Sequence, residues 1–550
     1  LMPPTPKELD LSYPGNFIDE LAKLYRKSTV LAEYWESERE KLEAILPQVA
    51  KSISFNYDIL KPIGVGGSGV VAIVLDKNLS VNRALKISRP SPGKETYLAK
   101  VLLDESENLR ALSHPNLIQI FAKGSVSVDD LECPWYIMDY VSGVREADEF
   151  LRTPNRTVAE LVNVLYGTVL GIAYLHSAGM IHMDIKPGNI LVTPDGTSVI
   201  SDLGFAKHLK TDGKHTLIGG TEGYIHPGAR QFVTEAQSDP NRLRGPAARN
   251  TLRKEWDLFS LGKTFLNAIA AYETSNPKGL DAFTKRYLRL LSCRLLDGQN
   301  GDGERPMGLA LTTLKEISYR DIEEVKLDFE KLMGTYNLST RIPELNFYVD
   351  ETIQVSTLAT TPFTKRVKLV VEDPTVKRLA DVTQLGLLNL VYPSAVHTRL
   401  EHSLGTFSVL CRIILALYND ALNPLFMQIM NEDDLKAVLL AALLHDLGQY
   451  PLAHDLEEAD PYLSHEQIGR TKLKDPKGPL AVLVKTHWGL SIDRVIGVLE
   501  ADCATCSGML KERILSSLIS GPIDADKLDY LMRDCLHTGL KYASAIDFER

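Results

Sequence analysis

Leu175–Val192 reads LHSAGMIHMDIKPGNILV, and how this stretch is read decides the fold of the first half of the 550-residue chain. Upstream of it, the strand-like run YDILKPI leads directly into Gly64, Gly66 and Gly69, in a GxGxxGxV spacing that ends at Val71. Glycine lets a turn between strands bring backbone N–H groups up to phosphate oxygens, where a side chain would collide. Alone, the pattern fits a glycine-rich hairpin equally well. Lys86, in RALKI, falls on the next expected strand but one, where an ammonium can hold phosphates. Glu105, nine residues before HPNLIQI, is placed on a helix to pair with that lysine. Taken singly, either residue also reads as a solvated surface charge.

The opening stretch resembles the catalytic loop of eukaryotic-type Ser/Thr protein kinases. The resemblance implies that Asp184 accepts the substrate hydroxyl proton, Lys186 steadies the γ phosphate and Asn189 binds magnesium, with Asp202 in SDLGFAK matching the magnesium-binding Asp of the family's DFG. Carboxylate and amide oxygens suit this hard cation, which neutralises charge developing on phosphates. Gly64, Gly66, Gly69, Val71 and Lys86 then belong to an ATP site, with Met138 of YIMDYV as gatekeeper and Asp139 to Val141 as the hinge to adenine. Met138 serves equally as core packing.

Departures from the family pattern touch regulation more than chemistry. Met183 replaces the arginine of HRD, which argues against activation by a phosphate on the activation loop, and Leu203 replaces the Phe of DFG. Gly228, in GTEGYIHPGAR, stands where the family has the Glu of APE and weakens the usual ion pair with Arg305, whereas Asp257 in WDLFSLG keeps its place. Thr211, Thr216 and Thr221 are candidate phosphorylation sites in the activation segment.

In the second half, KRLADVTQLGLLNLVYPSAVHTRLEHSLG, LLHDLGQYPLAHDLE, SHEQIG and DADKLDYLMRD follow in order. Together they resemble the HD-domain deoxynucleoside triphosphate triphosphohydrolases. His402, His445, Asp446 and Asp526 match that family's four metal ligands, and imidazole with carboxylate suits manganese, iron or zinc, with magnesium an alternative. The resemblance further places Lys527 and Arg399 on phosphates, Tyr530 and Asp534 on the sugar, and Gln384 on the sugar or base edge. It puts His454 and Glu457 near the scissile phosphate, with His465 assisting. Gln449 departs from the His or Asn of relatives.

Helical geometry supports the ligand set independently. His445 and Asp446 end the apolar run LKAVLLAALLHDLG, so a buried helix delivers two adjacent ligands to one point. Asp526, Tyr530, Arg533 and Asp534 share one helix face as a polar stripe, with Leu528, Leu531, Met532 and Cys535 opposite as a core stripe.

The fold class expected is therefore multidomain: an α+β bilobal kinase fold followed by an all-α HD domain. The boundaries expected are a helical extension over 1–56, a kinase domain over 57–315, a helical linker over 316–350 carrying LKEISYRDIEEVKLDFEKLM, and an HD domain over 351–550. The chain stops at ASAIDFER, shortly after the last motif, where relatives continue with helices that finish the pocket. An incomplete HD pocket, or one completed by another subunit, is one expectation. Self-association is another, since relatives often assemble as oligomers.

A net charge of −10 and the lack of a strongly basic block argue against a dedicated nucleic-acid surface. There is no run of about 18 apolar residues to suggest a membrane partner, and the opening residues lack the regions of a signal peptide, so a cytoplasmic protein is expected. Six cysteines over so long a chain do not read as a disulfide framework, and Cys503 and Cys506 form a lone CxxC that reads as two thiols. The partners expected are a protein substrate for the kinase half and a nucleotide substrate for the HD half. Two alternatives stay open at this point: an active kinase joined to an HD nucleotide sensor, and an ATP-sensing pseudokinase scaffold that regulates the hydrolase.

Overall fold

The computed structural model describes residues 16–27, 31–66, 69–110, 112–208, 220–238, 252–297, 308–346, 364–460, 464–475, 477–501 and 510–540. They fall into two compact units. The first draws on Leu1–Asp281, Leu291–Gly303 and Ser318–Phe329, the second on Ala282–Leu290, Glu304–Ile317 and Glu330–Arg550.

In the first unit, helices α1 (Phe17–Lys27) and α2 (Trp35–Ile53) precede strands β1 (Tyr57–Val65), β2 (Gly69–Asp76) and β3 (Val81–Ser88). Helix α3 (Glu95–Arg110) and strands β4 (Ile120–Val128) and β5 (Leu131–Asp139) follow. The five strands form one antiparallel sheet in the order β1-β2-β3-β5-β4. The register sets Lys86 beside Val71 on one neighbour and Tyr136 on the other. Leu21, Tyr25, Leu42, Ile45 and Val49 from α1 and α2 share one apolar cluster with Val74, Leu85 and Ile137 of the sheet. The helices of the first 56 residues are thus built into the core of the sheet. Each such fully buried side chain contributes about 1.5–3 kcal/mol.

Beyond the sheet the unit is mainly helical. Helix α4 (Val158–Ser177) opens on a capping box in which the Thr157 side chain accepts the Glu160 N–H and the Glu160 carboxylate accepts the Thr157 N–H. Helix α5 (Glu255–Ser275) packs against it. Short strands Ile190–Val192 and Ser198–Ile200 pair as a hairpin and hold the Leu175–Val192 stretch against this helical part. The segment expected as a linker contributes Tyr319 and Asp328 to a buried network in which Arg294 donates to both.

The described part of the second unit is helical, consistent with its apolar runs. Helix α6 (Arg399–Tyr418) and helix α7 (Glu432–Leu444) each open on a capping box, Thr398 with Glu401 and Asn431 with Asp434. All the residues from Asp434 to Leu444 are buried, so α7 is the central rod of this unit. Around it pack α6 and the helices Ile492–Glu500 and Leu510–Ser520. After α7 come a short helix, Ala453–Ala459, and helix α8 (His465–Leu473), and helix α9 (Ala525–Thr538), capped by Asp524, lies along α6.

Among the described residues, two helices, α4 and α6, are long and apolar enough to cross a membrane by length and composition. In each, 61% of the apolar window is buried inside its unit, as in a core helix.

Candidate active sites

In the first unit a cavity of about 750 Å³ is lined by Gly64, Gly66, Gly69, Val71, Lys86, Glu105, Met138, Asp139, Val141, Asn189 and Asp202, among others. Each is a residue the sequence assigned to ATP or magnesium. Gly69 is required by packing: a Cβ there would come within 2.6 Å of the Ile87 carbonyl oxygen, on the strand that carries Lys86. Lys86 Nζ donates to Glu105 at 2.8 and 3.1 Å and lies 3.9 Å from Asp202 Oδ1. Burial disfavours the charged lysine, but the carboxylates of Glu105 and Asp202 outweigh it and raise the Lys86 pKa. The ammonium is therefore retained.

Asp184 and Lys186 stand beside this cavity. Asp184 Oδ2 accepts from Lys186 Nζ at 2.9 Å and from Asn189 Nδ2 at 3.1 Å. Its Oδ1 accepts from both the N–H and the hydroxyl of Thr221, each at 2.7 Å. Lys186 Nζ also donates to the Thr221 hydroxyl, at 2.7 Å. Burial raises the Asp184 pKa, but the hydrogen bonds from Thr221 and Lys186 prevail and hold it below the usual range. Thr221, read from sequence as a phosphorylation candidate, is tied to Asp184 and Lys186. Thr211, Thr216 and Arg305 lie outside the described residues.

The loop is held in a strained form. Met183 and Asp202 have φ of 71° and 60°, a region that costs of order 1–3 kcal/mol for a side-chain-bearing residue. Buried Asp257 compensates by accepting the N–H groups of His182 at 2.7 Å and Met183 at 2.9 Å, with His176 Nε2 at 2.9 Å. Met183 is itself buried, as apolar packing in place of an arginine requires.

In the second unit His402, His445 and Asp446 bring their ligand atoms within 4.8 Å of one another. Asp526 Oδ1 completes the set, at 2.8 Å from His402 Nε2 and 3.6 Å from His445 Nε2. Both imidazoles are oriented from behind. His402 Nδ1 lies 2.9 Å from Asp529 Oδ2, and His445 Nδ1 lies 2.8 Å from the Ala442 carbonyl oxygen. Each Nδ1 therefore carries its proton toward an acceptor, and each Nε2 is turned to the centre as a metal ligand requires. Burial depresses the His402 pKa, yet the hydrogen bonds to Asp526 and Asp529 raise it to about 10. Burial raises Asp446, but His445, His402 and Arg399 bring it to about 2. The convergence of two imidazole nitrogens and two carboxylates on one point fits a divalent cation.

These ligands open onto a cavity of about 740 Å³ lined also by Gln384, Arg399, Gln449, His465, Tyr530 and Asp534. Arg399 donates to Asp446 Oδ2 at 2.9 Å and to the Gln384 carbonyl oxygen at 3.3 Å. Asp534 Oδ1 lies 2.8 Å from His397 Nε2, a neighbour sequence reading did not single out. Gln449 is 1% exposed, and neither end of its amide has a hydrogen-bond partner among the described residues.

Not every expected residue reaches the cavity. Lys527 turns to its own helix cap, donating to Asp524 at 2.6 Å and to the Gly521 carbonyl at 2.8 Å. Glu457 is not among the lining residues; its Oε1 lies 2.6 Å from His465 Nδ1 and accepts the His465 N–H at 2.6 Å, so it positions His465. The side chain of His454 lies outside the described residues, as do Cys503 and Cys506. Cys133, Cys411 and Cys535 are not joined in disulfides. Arg533, expected on the site-facing stripe, is 2% exposed and forms a two-pronged pair with Asp529 at 2.8 and 2.9 Å. The buried face of α9 is Ala525, Asp529 and Arg533, while Leu528, Leu531, Met532 and Cys535 are half-buried. Asp529, which orients the His402 ring, is another residue that sequence reading did not single out.

The protein kinase domain family model matches residues 57–281, and the HD domain model matches residues 399–529. The chain joins a protein kinase domain to an HD domain. Among curated proteins, it is 34% identical over 184 residues to the uncharacterized protein MJ1154 of Methanocaldococcus jannaschii, covering 33% of this chain and 32% of that one. It is 34% identical over 174 residues to the uncharacterized protein YwfO of Bacillus subtilis, covering 32% and 36%. It is 28% identical over 211 residues to the probable serine/threonine-protein kinase PknB of Bifidobacterium longum, covering 38% and 29%. The chain spans about a third of the length of each of these relatives.

Proposed function

We propose that the chain is bifunctional: an ATP-dependent Ser/Thr protein kinase joined to a metal-dependent HD phosphohydrolase acting on (deoxy)nucleoside triphosphates. The observation that carries the first half is the closed Lys86–Glu105 pair beside Asp202, with Asn189 on the same cavity. Lys86 holds the α and β phosphates while the backbone at Gly64, Gly66 and Gly69 covers them. Ionised Asp184 accepts the proton of the substrate hydroxyl as it attacks in line, and Lys186 meets the charge on the γ phosphate. Magnesium on Asn189 and Asp202 supplies neutralisation of phosphate charge when bound.

For the HD half the carrying observation is the convergence of two Nε2 atoms and two carboxylates on one point. A divalent cation held by His402, His445, Asp446 and Asp526 supplies electrophilic activation of water and phosphate when bound. Arg399 meets phosphate charge at the edge of the ligand set. His465, fixed by Glu457, presents its ring to the cavity as a proton donor for the leaving group. Tyr530 and Asp534 face the same space from α9 and take the sugar, with Gln384 on the sugar or base edge.

Both activities are read directly with the full chain. Labelled ATP with magnesium should transfer its terminal phosphate to protein hydroxyls, and each dNTP with manganese should release tripolyphosphate. Absence of label transfer contradicts the first half of the reading, and absence of nucleotide cleavage with every metal contradicts the second.

A further inference from the structure

On the first unit's N-terminal side, a chain of contacts runs from α1 to the glycine-rich turn. Glu38, on α2, is fully buried. It accepts from the Tyr25 hydroxyl of α1 at 2.5 Å and from both edges of the Arg89 guanidinium, Nε at 3.0 Å and Nη2 at 2.6 Å. Arg89, just past β3 and 4% exposed, donates through Nη1 to the Gly66 carbonyl oxygen at 3.2 Å. The rings of Tyr25 and Tyr34 lie 5.8 and 5.4 Å from the same guanidinium. Gly66 in turn donates its N–H to the Gly69 carbonyl at 2.8 Å, closing the base of the turn. A second tie joins the same helix to α3, where Lys41 donates to Glu95 at 2.8 Å. Glu95 opens the helix whose later turn carries Glu105.

We propose that Arg89 and Glu38 are positioning residues for ATP, through which α1 and α2 set the glycine-rich turn and so form an integral part of the nucleotide site. A two-pronged guanidinium–carboxylate pair has a fixed plane, and that plane aims the remaining Nη1 at Gly66. A lysine keeps the charge opposite Glu38 but lacks the fork needed to reach Gly66 as well. A glutamine in place of Glu38 keeps the size and removes the charge that fixes the fork.

The inference rests on the kinase reading only for its kinetic arm. Binding of ATP with magnesium to the full chain, and deuterium exchange of the amides from Gly64 to Val71, are measured on wild type, Arg89→Lys and Glu38→Gln. Arg89→Lys should weaken ATP binding by about tenfold and speed exchange at these amides, with β5 amides unchanged. In phosphoryl transfer the same variant should raise KM for ATP with kcat altered less than about twofold. Should Arg89→Lys loosen β5 too, Glu38→Gln carries the test through the same two readouts. Wild type that binds ATP without transferring phosphate would overturn the kinase reading and leave this test intact in the binding arm; wild type that binds no ATP would overturn the proposal itself. Folded variants with wild-type affinity and wild-type exchange from Gly64 to Val71 would overturn the proposal.

Discussion

Asp529 holds His402 from behind: its Oδ2 lies 2.9 Å from Nδ1, on the side of the ring away from Asp526. The same carboxylate receives both prongs of Arg533, so its position is fixed before any metal arrives. A partner of this kind sets the tautomer and plane of a ligating imidazole, and its loss typically costs about 10–100-fold in metal affinity. Asp529→Asn should weaken manganese binding to that extent, measured by competition with a chelator. Unchanged affinity would mean that His402 is oriented by other contacts.

Gly405 makes that arrangement fit. A Cβ at this position of α6 would lie 1.8 Å from Asp529 Oδ1 and 2.2 Å from Arg533 Nη2, atoms that are themselves buried and paired. Gly405→Ala should destabilise the HD domain by about 3 kcal/mol, through overpacking and disruption of a buried ion pair. Thermal unfolding followed with and without manganese should show a lowered midpoint and a smaller rise on adding metal. A variant with the wild-type midpoint would contradict the contact.

On the kinase side, Asp184→Asn keeps shape and removes charge. Phosphoryl transfer should fall by about 10²–10⁴-fold, the usual range for a positioned acid or base. ATP affinity should stay within about twofold of wild type, because Asp184 stands outside the residues that line the kinase-domain cavity. Equal loss of binding and transfer would place Asp184 in a structural role instead.

Asp257 gives the fold a dependence on acid. Burial opposes its charge, but hydrogen bonding and attraction from His176 and His182 win, and its folded pKa lies below the ordinary value. A carboxylate depressed in the folded state contributes stability that is complete above its unfolded pKa of about 3.9 and is lost as pH falls through the folded value. The stability gap between wild type and Asp257→Asn should therefore be constant from neutral pH down to about 5, then narrow below about 4. Denaturant titrations across that range measure it; a gap that widened in acid would contradict the sign.

Much of both sites is legible in the sequence because the chemistry depends on short, ordered motifs. The glycines, Lys86, Glu105, Asn189 and Asp202 meet at one cavity, and so do His402, His445, Asp446 and Asp526 at another. Periodicity misled where a charged residue is buried by a distant partner. Arg533 shares a helical face with Asp526 and Tyr530 by spacing, yet it turns to Asp529 one turn back, into space left by Gly405 on another helix. Glu38 and Arg89 are 51 residues apart, and neither carries a local signal that the other exists. Each looks like surface charge until the chain is folded. Lys527 is held away from the cavity by its own helix cap, donating to Asp524 at 2.6 Å.

On the proposed function, two separate centres on one chain carry out two different phosphate reactions. Product analysis by mass spectrometry, on mixed ATP and dNTPs with magnesium and manganese, separates them across wild type, Asp184→Asn and a variant with both His445 and Asp446 changed to Ala. Asp184→Asn should lose protein phosphorylation and keep nucleotide cleavage, and the double variant should do the reverse. Loss of nucleotide cleavage in neither variant, or of both activities in either one, would contradict two independent centres.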